Sequence, residues 1–152
     1  MKKVTQRISE KTYKKIHSLI PVPCVDVLIT DGRGNFLLAK RKNSPEKGKW
    51  FFPGGRVLRG EKIKDTALRK LKQEARLKGK IVKLLGVHDF FSEDGYFKNI
   101  PTHTIAIVFL VKVSGGQKIV LDQQNSESAW FNKINPKWHP YVKKFLKEAG
   151  FK

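Results

Sequence analysis

A glycine-rich loop followed by regularly spaced charged residues is the part of the chain best suited to chemistry. Gly54 and Gly55 precede Glu61. Arg69 follows Glu61 by eight positions, and Glu74 follows Arg69 by five. Glycine lets backbone amides and carbonyls approach a ligand or a metal ion closely. Arginine recognises phosphate through a planar fork of donors, and a carboxylate binds cations or accepts protons. These residue types predict an anion site beside a carboxylate.

A strand before the loop and a helix after it must position these residues. The aromatic segment Trp50–Phe52 predicts a short strand that stops at Pro53. A helix is predicted from Lys62 to Leu77 because five apolar residues recur at helical spacing. These residues are Ile63, Ala67, Leu68, Leu71 and Ala75. The helix would present its charged side chains toward the glycine loop.

The rest of the chain alternates strands with two further helices. We predict a helix capped by Ser9 that ends at Ile16 or Leu19, and another from His139 to Ala149. Strands are predicted at Cys24–Thr30, Phe36–Lys40, Ile81–Phe91, Thr102–Val113, Lys118–Leu121 and Ala129–Phe131. A polar loop separates the two long strands, and a second spans Asp122–Ser128. This pattern implies an α+β fold with a mixed β-sheet sandwiched between helices.

The spacing of the residues after Gly54 resembles the signature of the Nudix hydrolases. The positions that fit are Gly55, Glu61, Arg69, Leu71, Glu74 and Leu77. The resemblance implies a Nudix-type α/β/α fold and a hydrolase that uses Mg²⁺, with Mn²⁺ as the alternative ion. We expect one Nudix domain over residues 1–152, in which residues 1–20 form an N-terminal helical extension. The resemblance also implies a homodimer, since related hydrolases often pair through the N-terminal segment.

Three positions of the signature carry other residues. Lys70 replaces the first glutamate of the helix, Gln73 replaces the second, and Arg76 replaces the glycine. In Nudix pyrophosphohydrolases the missing glutamates bind magnesium or act as the base. Their loss disfavours a direct attack at phosphorus.

The loss of the first two glutamates is shared with one branch of the family, the GDP-mannose mannosyl hydrolases, which also keep the third glutamate. The segments 34–41 and 48–57 resemble that branch, as does Asp122-Gln123-Gln124 before Trp130. The similarity covers roughly residues 20–131. Members of the branch use magnesium and displace GDP at the sugar carbon with inversion. The implied substrate is GDP-mannose or GDP-glucose.

The resemblance assigns a role to each candidate residue. The Gly54 carbonyl, Glu74 and Gln124 would hold Mg²⁺ through oxygen atoms, with Gln123 as the other possible register. Arg41 and Arg56 would neutralise the departing diphosphate. Arg69 would do the same or would brace the loop through Glu61. Asp26 would contact the substrate or orient one of the arginines.

The general base is the position where the chain departs from the branch. A histidine follows the metal-binding glutamine there, and the equivalent residue here is Asn125, which accepts no proton at neutral pH. A positioned base is worth about 10²–10⁴-fold in rate. The possible substitutes are His88, His103, Glu93, Asp94 and Glu127. We favour Glu127 because it shares a short loop with Gln124.

The charge of the chain divides between a few arginines and many lysines. The 32 Lys and Arg residues against 13 Asp and Glu residues give a net charge of +19. Six of the seven arginines lie between Arg33 and Arg76, whereas the 25 lysines occur along the whole length. Arginine suits bidentate phosphate recognition, and lysine is a common solvated surface charge. We interpret the charge as an anion site within a lysine coat, with nucleic acid as the second choice of partner.

Composition excludes several other classes of protein. No apolar run approaches the roughly 18 residues of a spanning helix, and no signal-peptide core is present, so we expect a cytoplasmic protein without a membrane. Cys24 is the only cysteine, which excludes an internal disulfide and a cysteine-based zinc site. A hydrophobic fraction of 39% is sufficient for a core and argues against disorder.

Two alternatives to the nucleotide-sugar hydrolase remain. One is a pyrophosphohydrolase of ADP-ribose or of a nucleoside triphosphate. The other is a non-catalytic Nudix-fold module that binds RNA or nucleotide through its basic surface. Binding to a phosphate backbone weakens steeply with salt, whereas a small-substrate site would depend mainly on Mg²⁺ and Glu74.

Overall fold

The computed structural model of the chain describes residues 1–115, 117–120 and 125–152. The helices are α1 (Glu10–Leu19), α2 (Ile63–Ala75) and α3 (Pro140–Glu148). The strands are β1 (Val22–Thr30), β2 (Phe36–Arg41), β3 (Trp50–Phe51), β4 (Gly54–Arg56), β5 (Gly79–Phe97), β6 (Ile100–Val113) and β7 (Asn125–Phe131).

The strands of the described chain form one mixed, curled sheet. Its main path runs β3-β2-β1-β6-β5, and β4 and β7 pair with β1 and β2. Strands β1 and β6 are parallel, and the other pairs are antiparallel. The central strand β1 is apolar on both faces, because Val27, Leu28 and Ile29 are all fully buried. This burial is typical of a strand covered by helices on both sides. The predicted α+β class is confirmed.

Two hydrophobic clusters, one on each face of the sheet, fix the helices. Helix α2 buries Ala67, Leu71 and Ala75 against residues of β1 and β6 such as Val27. Helix α3 packs its apolar residues, which include Phe145, against the opposite face of the sheet. Each fully buried Leu or Phe side chain contributes about 1.5–3 kcal/mol. The two clusters therefore hold α2 and the loop before it in a fixed position relative to β1.

The predicted helices are confirmed, and their ends have identifiable causes. Ser9 caps α1 by accepting a hydrogen bond of 3.2 Å from the Thr12 amide. The Nδ1 atom of His139 accepts one of 3.1 Å from the Tyr141 amide and caps α3. Helix α2 ends at Arg76, which adopts a left-handed conformation with φ of 55°. No described helix is long and apolar enough to cross a membrane.

The prediction of a polar loop between the two long strands is wrong. Strand β5 continues to Phe97 and turns back at once into β6, with Asn99 at a φ of 63° in the turn. The polar side chains of this arm have partners: Ser92 donates to Glu46 at 2.8 Å, and Thr102 donates to the Asp94 carbonyl at 2.9 Å. Polar residues are therefore accommodated on a strand that lies at the edge of the sheet.

The prediction of a second polar loop over Asp122–Ser128 is also partly wrong. Strand β7 begins at Asn125 rather than at Ala129, because it pairs with β2 from Arg41 to Phe36. The strand predicted at Lys118–Leu121 is not formed by residues 118–120, and Leu121 lies outside the described residues together with Asp122, Gln123 and Gln124.

Candidate active site

A cavity of about 340 Å³ lies over the glycine loop at the start of β4. It is bounded by β1, β4 and α2 and closed by residues of α1, the β5–β6 hairpin and α3. Its charged lining residues are Asp26, Arg41, Glu46, Arg56, Lys70 and Glu74. Aromatic rings supply much of the remaining wall, from Tyr13, His17, Phe51, Phe52, Phe90, Tyr96 and Tyr141. Charged groups and apolar walls together are typical of a ligand site.

Asp26 lies at the back of the cavity against the glycine loop. It pairs with Gly54 across the β1–β4 ladder, and a Cβ atom on Gly54 would lie 2.0 Å from Asp26 Oδ1. Only glycine permits this approach. The hydroxyl of Tyr141 donates a hydrogen bond to Asp26 Oδ2. Burial raises the pKa of Asp26 to about 6, and the Tyr141 hydrogen bond and the Arg41 charge partly oppose that effect.

Glu74 is held by groups that surround the glycine loop. Its Oε1 atom lies 2.8 Å from Lys70 Nζ, and the two side chains are only 5% and 14% exposed. The Oε2 atom accepts hydrogen bonds from the Gly54 amide at 3.3 Å and from Asn125 Nδ2 at 3.2 Å. The carboxylate therefore joins α2, β4 and the start of β7 on one side of the cavity.

Glu61 and Arg69 form a brace beneath the loop. Arg69 donates from Nε to Glu61 Oε1 at 2.7 Å and from Nη2 to Oε2 at 2.9 Å. Arg69 Nη2 also donates to the Arg56 carbonyl at 3.1 Å. The Glu61 side chain is 1% exposed, and Arg69 holds its pKa down to about 2. Arg69 does not line the cavity, so the structure places it in the second of its two expected roles, as a brace for the loop.

Arg41 and Arg56 enter the cavity from different elements. Arg41, the last residue of β2, donates from Nε to the Pro45 carbonyl. The Arg56 guanidinium lies over the Tyr13 ring, with Cζ 5.1 Å from the ring centroid. Such stacking orients a guanidinium without consuming its hydrogen-bond donors. Both arginines are thus oriented, and the cavity brings them together with Asp26 as expected.

Glu127 is not brought to the cavity. It lies opposite Lys40 on β7, and the two side chains form an ion pair of 3.7 Å in which Glu127 is 54% exposed. The early start of β7 is the reason, because Glu127 belongs to a strand paired with β2 and not to a loop. Of the other candidate bases, His88, His103, Glu93 and Asp94 do not line the cavity either.

A divalent cation does not fit the predicted ligand set as these residues stand. Nudix hydrolases generally use such ions, Mg²⁺ among them. No group of three His, Cys, Asp or Glu side chains suited to a metal occurs in the described part of the chain. Glu74 already faces Lys70, and a doubly charged ion about 4 Å from that ammonium is repelled by about 8 kcal/mol at an effective dielectric constant of about 20. Gln124 lies outside the described residues.

Several cavity residues were not assigned to a site from the sequence. Lys70 was noted only as a departure from the signature, and Tyr141 only as part of an apolar helix stripe. Tyr13 and Tyr96 pack edge to face, with ring centroids 5.7 Å apart, on one side of the cavity. His17 also lines the cavity, and its Nε2 atom is buried without a hydrogen-bond partner. A single sequence carries no signal that brings these distant positions together.

Comparisons with known proteins agree with this fold. The sequence model of the NUDIX domain matches residues 21–148. The low-salt glycan biosynthesis protein Agl8 of Haloferax volcanii is 30% identical over 145 residues, which are 95% of this chain and 92% of that protein. An ADP-ribose pyrophosphatase of Methanocaldococcus jannaschii is 36% identical over 116 residues, 76% of this chain and 64% of the relative. The crystal structure of a MutT NUDIX hydrolase from Burkholderia pseudomallei superimposes with a TM-score of 0.70 at 26% identity and covers 85% of this chain and 98% of that one.

The chain belongs to the NUDIX family. Within it, the described fold and the residue spacing after Gly54 identify a Nudix hydrolase.

Proposed function

We propose that the chain hydrolyses nucleoside diphosphate sugars, with GDP-mannose as the first candidate substrate and GDP and mannose as products. The observation that carries the proposal is the convergence of Arg41, Arg56 and Lys70 on one cavity beside the carboxylate of Asp26. Three cations suit the charge of a diphosphate. The aromatic walls suit a nucleoside and a sugar on either side of it.

Attack at the sugar carbon is supported by what replaces the missing glutamates. Lys70 pairs with Glu74, and the Oε1 atom of Gln73 accepts a 3.0 Å hydrogen bond from Arg69. Neither position offers a carboxylate that could activate water at phosphorus. In the proposed reaction, a water oxygen bonds to the sugar carbon and the bond from that carbon to the diphosphate breaks. The electron pair leaves with GDP, whose charge the cavity cations stabilise.

Asp26 is the carboxylate that we propose as the acceptor of the water proton, in place of Glu127. It is half-buried and lines the cavity, and the Tyr141 hydroxyl fixes the orientation of its carboxyl group. Burial raises the pKa of Asp26 to about 6, which makes it a stronger base than an exposed aspartate and leaves it mostly ionised at neutral pH. The two roles expected of Asp26 from the sequence, contact with the substrate or orientation of an arginine, are compatible with this position.

One relative has a name that suits nucleotide-sugar chemistry. Agl8 is named as a glycan biosynthesis protein and aligns over 95% of this chain, and glycan synthesis uses activated sugars. We also propose that residues 1–152 act as one domain, because α1 supplies Tyr13 and His17 to the same cavity as residues of α3. A homodimer stays a prediction for this chain. The requirement for Mg²⁺ or Mn²⁺ that the family resemblance implies is disfavoured by the Lys70–Glu74 ion pair.

The products formed in ¹⁸O-labelled water test the proposal. GDP-mannose is incubated with the purified chain in separate reactions with Mg²⁺, Mn²⁺ or excess EDTA. The products are separated, and the ¹⁸O content of each is measured by mass spectrometry. We expect GDP and mannose, with the label in the mannose. GMP and mannose 1-phosphate, with the label on phosphate, would show attack at phosphorus. Absence of turnover of GDP-mannose, GDP-glucose and other nucleotide sugars would reject the proposed substrate class.

Variants separate the roles of the cavity residues. Asp26→Asn should lower kcat by about 10²-fold or more because it removes the base. Arg41→Gln and Arg56→Gln should lower kcat by about tenfold or more each, since they stabilise charge that develops on the leaving group. Arg59→Gln is the matched control, because Arg59 lies on the same loop but is exposed and outside the cavity. A loss in the control equal to that in Arg56→Gln would contradict the assignment.

A pyrophosphohydrolase is the second candidate function. The ADP-ribose pyrophosphatase relative favours it, and the same arginine-lined cavity would accept the diphosphate of ADP-ribose. AMP and ribose 5-phosphate would be its products. Measuring kcat/KM for ADP-ribose and GDP-mannose under identical conditions decides between the two candidates.

A further inference from the structure

Lys70 is one of the cations that line the cavity. It lies on α2 one turn before Glu74, and its ammonium is 2.8 Å from Glu74 Oε1. The alkyl chain crosses the glycine loop, because a Cβ atom added to Gly55 would lie 2.8 Å from Lys70 Cε and 2.9 Å from Nζ. The absence of a side chain at Gly55 gives the lysine room to extend into the cavity.

The charge of Lys70 acts across the cavity. Burial raises the pKa of Asp26 to about 6 and that of Cys24 to about 12, and the Lys70 charge partly opposes this effect at both residues. An ammonium group carries three donor hydrogens, so the contact with Glu74 does not exhaust it. Arg41 and Arg56 line the same cavity. A diphosphate bound there would face three cations, one of which already neutralises the nearby carboxylate.

We propose that Lys70 binds the substrate diphosphate in place of a divalent cation, so that diphosphate binding by this chain does not require a metal ion. The proposal rests on the proposed function only in taking a diphosphate as the ligand. Glu74 then has a positioning role: it holds the ammonium against the Gly54–Gly55 loop, and the Gly54 amide and Asn125 hold Glu74 in turn. Lysine is an effective phosphate ligand as a point charge.

Binding of GDP and of inorganic pyrophosphate, measured by isothermal titration calorimetry, tests the proposal. The wild-type chain is titrated in excess EDTA and again in excess Mg²⁺, and we expect dissociation constants that agree within about threefold. In EDTA, Lys70→Gln should weaken binding by about tenfold or more, which is the loss of one charge-assisted contact. Lys72→Gln is the matched control, because Lys72 is exposed on the same helix two residues later, and it should bind like the wild type.

Lys70→Glu gives a second, opposite signature. It places a carboxylate beside Glu74, so GDP binding should be lost in EDTA and should return when Mg²⁺ is added. Wild-type binding that disappears in EDTA and returns with Mg²⁺ would overturn the proposal, as would unchanged binding by folded Lys70→Gln. If that variant does not fold, the wild-type comparison still decides the question.

The two proposals fail separately. Metal-independent GDP binding that depends on Lys70, without hydrolysis of any nucleotide sugar, would reject the proposed function and support the role of Lys70. Hydrolysis of GDP-mannose with GDP binding that requires Mg²⁺ would support the proposed function and overturn the role of Lys70.

Discussion

Replacing Glu61 with glutamine removes the charge that joins the glycine loop to α2. In the native chain, the Glu61 carboxylate accepts two hydrogen bonds from Arg69, one from the Thr66 hydroxyl at 2.8 Å and one from the Leu58 amide at 3.2 Å. Glutamine keeps the size of the side chain but replaces one acceptor oxygen with a donor group. That group would face donors of Arg69, and the guanidinium would lose its counter-charge.

The cost of this change follows from the pKa of Glu61. Hydrogen bonding to Arg69 is the largest cause that lowers this pKa from 4.5 to about 2. A carboxylate whose pKa differs by that amount between the unfolded and folded states contributes about 3 kcal/mol to the free energy of unfolding at neutral pH. For a domain of this length, the loss should lower Tm by about 6–12 °C.

Urea unfolding of the wild type and of Glu61→Gln, measured by tryptophan fluorescence across a pH series, checks the value. Because the folded pKa is depressed, the stability advantage of the wild type is fully present above pH 4.5 and disappears as the pH falls toward about 2. Glu148→Gln is the control, since Glu148 is exposed on α3. A difference below about 0.5 kcal/mol at neutral pH, or one that does not change with pH, would refute the reasoning.

Three further predictions concern backbone geometry and the Asp26 carboxyl group. Arg76→Gly should raise the unfolding free energy, measured by urea unfolding, by about 0.5–1 kcal/mol. The reason is that the left-handed φ of 55° is strained for a residue with a side chain. A loss of stability would contradict this account of the helix end. Gly54→Ala should cost about 2 kcal/mol, since its Cβ would overlap Asp26 Oδ1. Gly115→Ala should have little effect, because among the described residues none but its chain neighbours lies within 4 Å of the added Cβ. Equal costs would refute the steric argument. Tyr141→Phe removes a hydrogen bond that lowers the pKa of Asp26, so that pKa should rise above about 6 in ¹³C NMR titration, and an unchanged or lower value would contradict the contact.

The fold was largely accessible from the sequence because local signals agree with the tertiary structure. The apolar spacing of α2 predicts most of its buried face. Ala67, Leu71 and Ala75 are buried, whereas Ile63 and Leu68 are each 39% exposed. The polar arm of the β5–β6 hairpin was not predicted, because Ser92 and Asp94 have turn-like character in isolation. Their partners, Glu46 and Thr102, are supplied by other elements.

The candidate site was accessible only in its local part. Glu61 and Arg69 belong to one loop and helix, so their spacing already suggests the brace. The contacts of Asp26 with Tyr141 and of Glu74 with Asn125 join residues that are far apart in the chain, and no pattern in one sequence encodes such pairs. The same limit explains Glu127, whose position depends on the register between β7 and β2.

The first helix has a property that connects ligand binding to local unfolding. Helix α1 has no fully buried residue and packs through half-buried rings, Tyr13 and His17, against Tyr96 and Phe97. Elements held this way are the first to open in native-state fluctuations. Because Tyr13 and His17 also line the cavity, a ligand that contacts them binds only when α1 is docked. Occupancy of the cavity should therefore slow amide exchange in α1 in proportion to ligand concentration above Kd, which makes this helix a reporter of binding without any change of fold.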